Sequence, residues 1–118
     1  MNTHFENLRT KGYCIIENIL TPDEIERTKA LVREWQQTIP NHDIFHSKVS
    51  PHGIYKYHGS GHTQHAWETR MNDKVISVYE QLWGTKDLVV SFDGSCFIPK
   101  NCTKKDNIWT HTDQAPTN

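Results

Sequence analysis

His111 and Asp113 stand two residues apart in "IWTHTDQAPTN", residues 108–118. On a β-strand, side chains at i and i+2 share a face, so an imidazole nitrogen and a carboxylate oxygen would project together, with Thr112 on the other side. Such a pair can fill two adjacent positions on one divalent metal. The 2-His-1-carboxylate facial triad of non-haem Fe(II) sites is built from this pair plus a second histidine from a distant strand. The tripeptide alone also fits a solvated strand end, so its meaning rests on the surrounding elements.

Those elements are read from hydrophobic period and punctuation. In "GYCIIENIL", residues 12–20, Tyr13 to Ile16 form a β-prone run after Gly12. Next, Thr21, Pro22 and Glu24 spell a capping box with proline at the first helical position. Ile25, Thr28, Val32, Trp35 and Ile39 then recur at helical spacing and predict an amphipathic helix over 22–38. Residues 41–62 have no lasting period and contain Pro51, Gly53, Gly59 and Gly61, which predicts a long loop. A second helix is predicted from Thr63 to Trp83, with Trp67, Met71, Val75, Val78 and Leu82 as its stripe and Gly84 as its cap. "DLVVSFDGSCFI" alternates as a strand, and "NIWTHTD" is the last one.

Four ordered stretches carry a resemblance. Trp67-x-x-Arg70 lies within "GIYKYHGSGHTQHAWETR", "LWGTKDL" and "SFDG" lie within "LWGTKDLVVSFDGSCFIP", and "HTDQ" closes the series. In this order they resemble the phytanoyl-CoA dioxygenase family of Fe(II)- and 2-oxoglutarate-dependent oxygenases. "GYCIIENILTPDEI" is similar to the strand and helix that open many such domains, so the resemblance touches most of the chain. It implies an α+β fold: two N-terminal helices packed on the first strands of a double-stranded β-helix, the jelly roll of cupins. It implies iron ligation by His111 and Asp113, 2-oxoglutarate as cosubstrate, and O2 and a small organic or acyl molecule as reactants. The chemistry implied is hydroxylation of a C–H bond.

The same resemblance implies that residues 1–118 are the N-terminal part of one oxygenase domain. The family's distal histidine and its carboxylate-binding arginine come later than the H-x-D motif and have no counterpart here. A missing C-terminal half or a second chain is expected to supply them, and the barrel is expected to be incomplete and inactive alone. Two other classes stay open: a non-catalytic remnant or split-gene piece, and a histidine-rich metal-binding module. For the last, six of the eight histidines fall between His42 and His65, and His42/His46 and His58/His62/His65 have metal-like spacings. A polar loop on the active-site side is the favoured reading of that cluster.

Other features are read conservatively. Trp67 is expected to anchor the core, and Arg70 to pair with Glu68 or Asp73 on the surface or else to reach inward to a carboxylate. Asp93 and Ser95 would share a strand face. Lys100, Lys104 and Lys105 read as a solvated turn. Cys14, Cys96 and Cys102 are odd in number and lack CxxC spacing, which argues against disulfides and structural zinc; Cys14 and Cys96 are expected to be buried thiols. A net charge of −1 gives no electrostatic case for nucleic acid or an anionic membrane. No apolar run approaches a membrane span and no signal core is visible, so an intracellular, cytoplasmic location is expected.

Overall fold

The computed structural model describes residues 3–40, 51–91, 94–98, 100 and 110–112. Its helices are α1 (Thr3–Lys11), α2 (Pro22–Gln37), α3 (Gln64–Arg70) and α4 (Asp73–Trp83), and its strands are β1 (Ile54–Tyr55) and β2 (Ser95–Cys96). None of the described helices is long and apolar enough to cross a membrane. The chain divides into two compact units, one from Met1–Thr38 with His62–Phe92 and one from Ile39–Gly61 with Asp93–Asn118.

The first unit is helical, and its caps explain its boundaries. The Thr21 hydroxyl accepts the Glu24 amide while the Glu24 carboxylate accepts the Thr21 amide at 2.7 Å, so the predicted capping box is present. The same carboxylate reaches α4, accepting from Lys74 Nζ at 2.6 Å and from Asn72 Nδ2 at 2.9 Å. Glu24 therefore caps its own helix and ties it to the start of another. One turn further along, Arg27 grips Glu68 of α3 through two nitrogens, at 2.7 and 2.6 Å, the fork geometry that suits a carboxylate. α4 ends as expected: Gly84 is left-handed (φ 66, ψ 24), and its amide donates to the Glu80 carbonyl.

Four features depart from the sequence expectation. The helix predicted over 63–83 is two helices. Met71 leaves the helical region at φ −91, ψ 6, and Asn72 starts anew with its side chain accepting the Lys74 amide. The apolar stripe hid the break because Trp67, Met71, Val75, Val78 and Leu82 keep helical spacing across it. Secondly, α1 was not foreseen. Glu6 in its first turn and Arg9 and Lys11 in its last complement the helix dipole, but its apolar content is thin. Thirdly, the runs 13–16 and 88–91 form no strand, and neither does 110–112, the described part of the last predicted strand, so the shared strand face expected for His111 and Asp113 is not seen. Tyr13 is 62% exposed and Val89 96%: alternation marks a strand only where a partner supplies the ladder. Fourthly, Trp67 is 39% exposed rather than a core anchor, and Cys14 is half-buried and Cys96 exposed rather than both buried.

Along α2, Val32 and Trp35 are half-buried while Ile25 is 40% exposed. Ile39 lies beyond the C-cap at Thr38 and is buried.

The second unit holds the small sheet. β1 and β2 pair antiparallel, with Ile54 opposite Cys96 and Tyr55 opposite Ser95, and the Phe97 amide extends the ladder to the Gly53 carbonyl at 2.9 Å. Gly53 sits at φ 74, and a Cβ there would lie 2.8 Å from the Phe97 carbonyl oxygen, so both backbone angle and strand approach require glycine. Tyr55 is fully buried. Its ring stacks on His58 (6.0 Å, 1°) and meets Tyr57 edge-on (6.0 Å, 69°), and its carbonyl accepts the buried Ser60 hydroxyl at 2.7 Å.

Glu24 makes the first unit acid-sensitive. Its Lys74 bond, then the Thr21 amide, hold the carboxyl down at about 2 against an ordinary 4.5. A depressed carboxyl stabilises the fold above its unfolded pKa and stops doing so as it protonates. The contribution is thus complete above 4.5 and lost as pH falls to about 2, with solvent and salt screening its size. In Glu24→Gln the melting temperature should fall less steeply over that interval than in the wild type, measured by circular dichroism. Parallel curves for the two proteins would remove Glu24 from this role.

Candidate metal centre

His111 lies in the described stretch 110–112, which is exposed and outside any helix or strand. Asp113 lies outside the described residues, so the predicted pair is placed at its histidine only. As donors the two fit a divalent iron: a neutral imidazole nitrogen and a carboxylate oxygen are both ligand types of the facial triad. Among the described residues, no group of three or more His, Cys, Asp or Glu side chains could hold a metal.

The histidines of the 42–65 cluster are placed as follows. His42 and His46 lie outside the described residues. His58, at φ 52, stacks on Tyr55. The His62 ring lies 6.3 Å from Trp67, and the His65 ring 5.7 Å from Trp35. These three histidines each face an aromatic ring.

The remaining candidates also find places. Glu68 is paired with Arg27, and the Arg70 guanidinium lies 5.3 Å above the Trp67 ring, a cation–π arrangement. Trp67-x-x-Arg70 is thus a contacting i, i+3 pair. Glu68 is held down to about 2, first by Arg27 and then by Gln64. Ser95 is half-buried on β2, and Lys100 is an exposed turn residue; Asp93, Lys104, Lys105 and Cys102 lie outside the described residues. The first unit also contains a cavity of about 430 Å³, lined by residues including Phe5, Ile16, Ile19, Lys74, Val78 and Gln81. Sequence reading missed it because α1, which supplies Phe5, was not foreseen.

No protein-family model matches the chain, and no solved structure matches it. Over 124 aligned residues it is 27% identical to Ava biosynthesis cluster protein O of Aspergillus versicolor, an alignment that takes in 94% of this chain and 39% of that protein. The chain therefore spans about two fifths of that relative's length.

Proposed function

We propose that residues 1–118 form the N-terminal part of an Fe(II)- and 2-oxoglutarate-dependent oxygenase that hydroxylates a small organic molecule. The observation that carries this reading is the order Trp67-x-x-Arg70, Leu82 to Leu88, Ser91 to Gly94 and His111-x-Asp113, four motifs of one family in sequence. His111 and Asp113 are the iron ligands in this reading, and neither acts as an acid or base. In this reading the jelly roll, its third iron ligand and its cosubstrate-binding arginine are completed elsewhere in the full protein. That a relative of 27% identity is named as a biosynthesis cluster protein supports a small-molecule substrate.

Bound iron would supply the oxygen chemistry, while the chain's part is to fix the ion, orient the cosubstrate and exclude water. The test is titration of 2-oxoglutarate into the chain, with and without Fe(II), under anaerobic conditions. Binding should appear only with the metal and vanish in His111→Ala. Binding that ignores the metal, or its absence when metal is present, would overturn the reading.

A further inference from the structure

Helix α3 carries a histidine set into its contact with α2. The His65 ring is tilted 55° against Trp35 at 5.7 Å between centroids. Its Nε2 lies 3.1 Å from the Thr63 hydroxyl, which also accepts the Ala66 amide at 3.4 Å as the cap of α3. Its Nδ1 is buried and has no hydrogen-bond partner among the described residues. One hydroxyl thus serves both the helix start and the ring, and the other ring nitrogen has nothing.

This setting suits an uncharged ring. With the proton on Nε2, the bond to Thr63 is made and Nδ1 is a bare acceptor. A second proton turns Nδ1 into a charged donor without an acceptor, and a buried, unpaired charge is costly. Among the described residues, the neighbouring charges offer no relief. On α3, Arg70 is a second cation, and Glu68 is committed to Arg27 of α2. At the start of α4, beside Asp73, Lys74 is committed to Glu24 of α2. His62, ahead of α3, packs against Trp67, and Trp35 brings no charge.

We propose that His65 is an acid-sensitive latch between α2 and α3: uncharged, it seats against Trp35, and protonation loosens α3 from α2. Burial first, and Arg70 second, push the ring's pKa below its ordinary 6.5. A group with a lowered basic pKa binds more protons when released, so the contact is at full strength above 6.5 and weakens as pH falls from there through the folded-state value.

The experiment follows two quantities in the wild-type chain by NMR across the acid range: the protonation of the His65 ring, and the exchange protection of the α3 amides of Trp67 and Met71, corrected for intrinsic rate. The Gly84 amide at the end of α4, which donates to the Glu80 carbonyl, is the internal reference. The α3 opening constant should rise about tenfold for each unit by which His65 titrates below 6.5, with the protection change tracking the ring's titration. In His65→Gln the acid-dependent opening should disappear. A ring that titrates at or above 6.5, α3 protection unchanged through its titration, or opening that persists in the variant would each overturn the latch. If the variant does not fold, the comparison of the two wild-type curves decides alone.

Discussion

On the proposed iron site, replacing Asp113 by alanine should weaken Fe(II) binding by about tenfold or more, roughly 1.4 kcal/mol, in anaerobic titration calorimetry. The carboxylate brings the only formal negative charge of the pair, and hard divalent ions favour oxygen donors. His111→Ala lowers affinity in the same direction. The double variant loses little beyond either single one, because ligands to one ion act as a unit and their losses do not add. Additive losses would instead mean two separate weak sites. Binding unchanged in Asp113→Ala would exclude the carboxylate as a ligand. Wild-type affinity itself should be weak, since two protein ligands leave most of the coordination sphere to water.

Replacing Tyr55 by alanine costs about 3–5 kcal/mol, the range for emptying a fully buried large aromatic site. No other large hydrophobic side chain among the described residues is as completely enclosed, and three contacts depend on its ring and backbone: His58, Tyr57 and the Ser60 hydroxyl. The backbone around it cannot close the gap freely, because a Cβ at Gly94 would already lie 2.6 Å from the Tyr55 carbonyl oxygen. Domains of this size have only about 5–15 kcal/mol in total, so the second unit should lose its cooperative unfolding. Urea denaturation followed by tyrosine environment and by β1–β2 amide exchange tests this. An unshifted midpoint would mean that the ring is not packed as described.

Legibility in the sequence followed how local each signal is. The start of α2 and the end of α4 were readable because Thr21, Glu24 and Gly84 satisfy backbone groups within their own turn. The Met71–Asn72 break was not, since the apolar stripe runs through it in phase; Asn72 followed by Asp73 was the available clue, a good cap residue before an acidic first turn. Strands were the weakest case. The segment 13–16 is β-prone and 88–91 belongs to an alternating run, yet the ladder formed at Tyr55 and Ser95, one of them inside the predicted loop. A two-residue strand flanked by Gly53 and Gly59 has too short a period to read, and pairing is non-local by nature. For the candidate centre, residue types and spacing were legible at His111 and Asp113, but the placement of ligands from distant strands is not encoded in a tripeptide.

The most direct test of the proposed centre is where Fe(II) sits on the chain. High-spin Fe(II) is paramagnetic and broadens the NMR signals of nearby residues. Added in substoichiometric amounts under anaerobic conditions, it should first erase the backbone signals of Thr110, His111, Thr112 and Asp113, leaving those of His58, His62 and His65 sharp. Broadening centred on the histidines between 42 and 65, with residues 110–113 unaffected, would contradict the H-x-D site and favour the histidine-rich binder in its place.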